Sequence, residues 1–130
     1  MVTVPFDPTL NLILVDVELQ GPRDVTRCLF ALDTACSITL LRPEVLDIIG
    51  YSARDGEDST TITSAIGREP GYTLRVATFE ALGFLRHNFL LHVHDLPAGC
   101  GVDGLLGLNF LSQFNYEIRS QEGRILVSPV

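Results

Sequence analysis

One hairpin constrains the fold of this chain more than any other stretch, because its second arm ends on an acidic residue. In Val15-Asp16-Val17-Glu18-Leu19 the apolar side chains share one face and the acids the other. That is the period-two pattern of a half-buried strand, and the sequence places this strand over Leu10–Leu19. Gln20-Gly21-Pro22-Arg23-Asp24 turns the chain. Val25 to Leu32 then runs back, so Asp33 follows directly on an apolar run. A carboxylate buried in such a run is costly unless it is paired or hydrogen-bonded. The small and hydroxyl residues Thr34-Ala35-Cys36-Ser37 come next. On these residues alone, the stretch is either a strand end capped by Asp33 or Thr34, or a site.

The rest of the chain extends the same grammar. Ile38–Leu41 reads as a short strand. Arg42–Gly50 reads as about two turns of helix, with Pro43 in the first turn, Glu44 complementing the dipole and Gly50 as the stop. Thr60–Thr63 and Tyr72–Ala77 read as strands joined by Ser64-Ala65-Ile66-Gly67-Arg68-Glu69-Pro70-Gly71. This connector is either a plain hairpin or a lid over a cleft. Leu82-Gly83 is a turn, Phe89–His94 a strand, and Leu108–Phe114 a short helix with Leu108, Leu111 and Phe114 on one face. Tyr116–Ile118 and Arg124–Val127 are the last strands. Many short strands with two short helices predict an all-β class with a closed or barrel-like sheet.

Composition removes several alternatives. At 130 residues with 46% hydrophobic and 19% charged, residues 1–130 read as a single globular domain. No apolar run reaches the ~18 residues of a membrane-spanning helix. The start, Met1-Val2-Thr3-Val4-Pro5, lacks the basic and apolar regions of a signal peptide. The expected location is therefore the cytoplasm. A net charge of −7 without a basic cluster argues against nucleic acid as a partner. Cys28, Cys36 and Cys100 are odd in number and follow no metal-ligand spacing, which fits free thiols. His92 and His94 would share a strand face, but nothing nearby completes a ligand set. Neither a metal nor another cofactor is expected.

The segments together resemble a known family. Leu32-Asp33-Thr34-Ala35-Cys36-Ser37 is similar to the active-site loop of retropepsin-like aspartic proteases, whose pattern is hydrophobic-Asp-Thr/Ser-Gly-Ala/Ser-Ser/Asp. Gly104-Leu105-Leu106-Gly107-Leu108-Asn109-Phe110-Leu111 resembles the family's hydrophobic-hydrophobic-Gly segment before its C-terminal helix. Between them lies a glycine-containing hairpin where the family places its flap. The resemblance runs from about Leu10 to Val127 and is nearest to the single-domain bacterial members. It implies a closed barrel with a flap hairpin, acting on a peptide or protein substrate.

Metal-free peptide hydrolysis needs a nucleophilic water and a proton for the leaving amide, which two carboxylates sharing one proton can supply. This chain has one Asp-Thr signature, since Asp103 in Val-Asp-Gly lacks the following hydroxyl. The second carboxylate is then Asp33 of another copy, in a homodimer with the site on its twofold axis. The resemblance implies that Thr34 and Ala35 contact the partner's loop. It also implies that Ala65, Ile66 and Gly67 form the flap over substrate. Pocket walls are expected from Ser37, Ile38 and Thr39 and from the segment before Gly107.

Ala35 stands where the family has Gly. If positive φ is required there, Ala costs on the order of 1 kcal/mol or more in strain. The methyl could also crowd the partner loop. Activity is accordingly expected to be weak or conditional. The alternative is a catalytically silent domain of the same fold that binds peptides or proteins. A third reading is a small β-domain that assembles only through its terminal strands. Cys36 as a nucleophile with His87, His92 or His94 is a further reading; a buried, inert thiol is the simpler one.

Overall fold

The computed structural model describes residues 1–64, 67–97 and 99–130. Its strands are β1 (Val2–Pro5), β2 (Leu14–Gln20), β3 (Val25–Leu32), β4 (Leu40–Leu41), β5 (Asp58–Ser64), β6 (Gly67–Ala81), β7 (Phe84–Val93), β8 (Gly104–Leu106), β9 (Phe114–Arg119) and β10 (Arg124–Pro129). Helix α1 spans Pro43–Ile49 and α2 spans Leu108–Leu111, with a 3-10 turn at Ala53–Asp55. No helix among the described residues is long and apolar enough to cross a membrane.

The strands form two sheets. The larger runs β2-β3-β8-β4-β7-β6-β5, and β2 pairs back onto β6, so all but β5 close into a barrel. The smaller sheet is β1-β10-β9. The expected all-β closed barrel with short helices is therefore what forms.

Several elements follow directly from their sequences. Val15, Val17 and Leu19 of β2 are buried while Asp16 is exposed, as the alternation predicts. β3 pairs with β2 in the register Val17↔Cys28 and ends at Leu32, which leaves Asp33 just beyond the hairpin arm. Pro43 opens α1, and Gly50 caps its end in the left-handed region at φ 100°.

Several expectations change. The second helix ends at Leu111, and Phe114 instead opens β9, while only Leu40–Leu41 of the Ile38–Leu41 stretch is strand. The first strand starts at Leu14 rather than Leu10. The Asp7 carboxylate accepts hydrogen bonds from both the Thr9 amide and the Thr9 hydroxyl. This side-chain turn diverts the preceding residues and leaves Leu10 and Leu12 half exposed. β7 begins at Phe84, well before Phe89. Asn88 has φ 50°, and the pairing steps from Val76↔Phe89 to Thr78↔His87 across it. The register is the same on both sides, so no residue is inserted; the Ala77–Asn88 pair is skipped, and the inward face changes from Phe84 and Arg86 to Phe89, Leu91 and Val93, so one period of two cannot span the strand. β1 has no pattern of its own long enough to mark a strand, because Val2 and Val4 offer only two alternating positions; they pair with Val127 and Ile125 of β10.

The core is aromatic at its centre. Phe79 lies 4.4 Å from Phe89, 5.5 Å from Phe110 and 5.8 Å from Phe30 between ring centroids. Phe110 comes from α2, so the short helix is packed onto the barrel through this cluster. Phe114 extends the cluster, 5.1 Å from Phe110, and carries the Arg86 guanidinium 4.9 Å above its ring. Phe79→Ala is expected to lower unfolding free energy by about 3–5 kcal/mol in a urea titration, because the close-packed rings cannot collapse into the void.

Candidate active site

Asp33 is held by its own turn and by β8. Its amide donates to the Leu106 carbonyl at 2.9 Å, which prolongs the parallel β3–β8 pairing by one residue. Its Oδ1 accepts the Ala35 amide at 2.9 Å, and its carbonyl accepts the Cys36 amide at 3.2 Å. The result is a tight turn with Asp33 half-buried and Thr34 and Ala35 exposed. No other hydrogen bond reaches the carboxylate among the described residues, so Oδ2 is open to a proton or a water.

The turn is anchored onto the start of α2. The Leu108 amide donates to the Cys36 carbonyl at 2.7 Å and the Asn109 amide to the Ser37 carbonyl at 3.0 Å. Helix-start amides have no partner within their own helix, and here the loop supplies one. The approach is close enough that a Cβ on Gly107 would lie 2.5 Å from the Cys36 carbonyl oxygen. Glycine is needed at this position for proximity rather than for its φ, which is −105°.

Thr39 is fully buried, which corrects the expectation that it lines a pocket. Its hydroxyl donates to Asn109 Oδ1 at 2.7 Å and accepts the Gly107 amide at 3.0 Å. Its amide also donates to Asn109 Oδ1, at 2.8 Å. Sequence reading missed this pair. The signal it left was a polar residue in each of two apolar runs, Ile38-Thr39-Leu40 and Leu108-Asn109-Phe110.

The strain foreseen at Ala35 is absent. Among the described residues, only Leu82 and Asn88 have positive φ without being glycine. The turn closes through the Asp33 side chain with Ala35 in an ordinary backbone region, so its methyl adds no left-handed penalty.

Asp103 is committed elsewhere. Its Oδ1 lies 2.6 Å from Arg42 Nη2 and 2.8 Å from Arg42 Nε, and its Oδ2 accepts the Leu29 amide at 3.0 Å. The Arg42 guanidinium is held more firmly charged by this contact. The carboxylate ties β3 to the residue preceding α1. Cys36 Sγ donates to the Ile38 carbonyl at 2.9 Å, and burial together with the Asp33 carboxylate pushes its pKa up. A protonated, donating thiol is a poor nucleophile. His92 Nε2 meets the Thr60 hydroxyl. No group of three or more Cys, His, Asp or Glu side chains suited to a metal occurs among the described residues. Of the expected hairpin tip, Ala65 and Ile66 lie outside the described residues, and Gly67 opens β6.

A family model described as aspartyl protease matches residues 15–110. The chain belongs to the aspartyl protease family. Among solved structures, this family member is similar to a retropepsin-like aspartic protease from Rickettsia conorii. The TM-score is 0.73 at 16% identity, over 97% of this chain and 88% of the other. At that identity the likeness speaks to the fold, which is retropepsin-like. No curated protein matches the sequence.

The three thiols of this aspartyl protease family member are expected to separate by environment. Exposed Cys100 should react first with iodoacetamide, Cys36 about tenfold or more slowly, and buried Cys28 only on unfolding. Burial pushes Cys28 from the ordinary 9.0 up to about 12. As pH rises past 9.0 the unfolded chain loses this proton while the folded chain keeps it. Stability should therefore be whole below that value and fall above it, and Cys28→Ala should flatten the decline in urea titrations across this range.

Proposed function

We propose that this chain is an aspartic endopeptidase that works as a homodimer, with Asp33 of each copy forming the catalytic pair. The observation that carries this reading is the contrast between its two candidate acids. Asp33 sits on an exposed turn with one carboxylate oxygen open, whereas both oxygens of Asp103 are engaged by Arg42 and Leu29. A second carboxylate for Asp33 then comes from a second copy. Residues 1–130 would act as one domain, with Thr34 and Ala35 contacting the partner's turn across the axis.

The reaction follows from the pair. Two carboxylates close enough to share a proton cannot both ionise, so one is a base and the other an acid. The ionised Asp33 takes a proton from water, and the oxygen attacks the peptide carbonyl. The protonated Asp33 of the other copy gives its proton to the amide nitrogen as the C–N bond breaks. An extended peptide would lie under the β5–β6 hairpin, with Ala65, Ile66 and Gly67 as the flap pairing to its backbone.

The silent-domain reading rests on Ala35, and the unstrained backbone there weakens it. The test is incubation of purified protein with a mixed peptide library between about pH 4 and 7, with and without an inhibitor of active-site carboxylates. Inhibitor-sensitive cleavage is expected, and Asp33→Asn should reduce it by at least about a thousandfold. Cleavage that survives Asp33→Asn would exclude the mechanism. Saturable peptide binding without cleavage would select the silent domain. With no strain to relieve, Ala35→Gly should change kcat no more than severalfold.

A further inference from the structure

We propose that Asn109 is a positioning residue that sets the height of the Asp33 turn above the barrel, acting through Thr39. The proposal rests on the protease reading for its kinetic consequence, and on geometry alone for its structural one.

Residues 34–39 belong to no strand or helix, so no regular ladder fixes them. They are held instead by single contacts: the Leu106 carbonyl at Asp33, the Leu108 and Asn109 amides at Cys36 and Ser37, and the His92 and Gly107 amides at Thr39. Asn109 determines the last of these, because its Oδ1 accepts both donors of Thr39. With the Thr39 hydroxyl proton directed to Asn109, its lone pair faces the Gly107 amide. The buried hydroxyl thus has one arrangement that satisfies every neighbour.

Asn109 is itself fixed on every side. Its Nδ2 donates to the Leu90 carbonyl of β7 at 2.9 Å, its amide donates to Ser37, and its carbonyl accepts Gln113 Nε2 at 2.8 Å. Turning the side-chain amide over would set its NH2 against the Thr39 amide and its oxygen against the Leu90 carbonyl, so only one orientation fits. Gln113 Oε1 accepts Arg86 Nε at 2.5 Å, and Arg86 stacks on Phe114. A continuous chain of contacts therefore runs from the barrel wall at Arg86 through Gln113, Asn109 and Thr39 to the Asp33 turn.

Two carboxylates that share a proton across an axis depend on where each turn sits. Displacement of about 1 Å from a productive geometry costs roughly a hundredfold in rate. The loss falls on kcat, because substrate binding by other surfaces is unaffected.

The experiment compares Thr39→Val, which keeps the shape and removes the hydroxyl, with Thr39→Ser, which keeps the hydroxyl, and with Asn109→Ala. Each is measured for kcat and KM on a cleaved peptide and for amide hydrogen exchange. Thr39→Val and Asn109→Ala are expected to lower kcat roughly a hundredfold with KM little changed. Amides of Ala35, Cys36 and Leu108 should exchange about tenfold faster in both, while those of Ile118 and Ile125 keep wild-type rates. Thr39→Ser should restore kcat to within a few-fold of wild type. Wild-type exchange at Ala35 and Cys36 in Thr39→Val overturns the proposal, as does a loss confined to KM. If Asn109→Ala fails to fold, Thr39→Val carries the test. If the wild-type chain cleaves nothing, the protease reading fails and the exchange rates alone decide the positioning role.

Discussion

Strand β8 is three residues long and is hydrogen-bonded along both edges, parallel to β3 and antiparallel to β4. Much of the site depends on that double pairing. It places the end of β3, and so Asp33, beside Leu106. It also places β4, and so the far end of the same loop, beside Leu105 and Gly104. A parallel pair cannot be joined by a tight turn. The chain between β3 and β8 instead builds β4, β6 and β7, half of the barrel's six strands, and returns. The loop that holds Asp33 is thus closed by contacts distant in sequence, and the stability of the site and of the barrel are bound together.

The two acids flanking this strand show how one residue type serves opposite ends. Asp103 precedes β8 and spends both carboxylate oxygens on Arg42 and the Leu29 amide. Asp33 follows β3 and spends one oxygen on its own turn. The first is drawn into the scaffold, and the second is presented at the surface. Their partners distinguish them: the Ala35 and Cys36 amides fold back onto Asp33 in a tight turn, while Arg42 stands opposite Asp103.

The sequence carried the parts whose patterns are local. β3 and α1 fall where alternation, Pro43 and Gly50 put them, and the Asp33-Thr34-Ala35 turn could be singled out from its type and spacing. What escaped depends on contacts across the chain. The left-handed Asn88 inverts the face of β7 midway, so Phe84–His87 are out of phase with Phe89–Val93. β1 is defined by its pairing with β10 rather than by any pattern long enough to read. Thr39 and Asn109 are ordinary polar residues until the fold brings them together. Ala35 misled for a related reason: the family's glycine suggested a left-handed backbone, and the turn adopts another.

Strand β6 belongs to two structures at once. Tyr72–Ala81 pairs with β7 in the barrel wall, while Gly67–Gly71 pairs with β5 alone. The outer hairpin is therefore a continuation of a wall stave rather than a separate piece hinged onto it. Its length can vary without touching the core, provided residues are gained or lost in equal numbers on both arms. One residue on each arm changes the reach by about 3.3 Å and exchanges the two faces; two on each arm change it by about 6.6 Å and restore them. A chain built on this plan can thus change the reach of this hairpin in discrete steps, while the barrel keeps the same register.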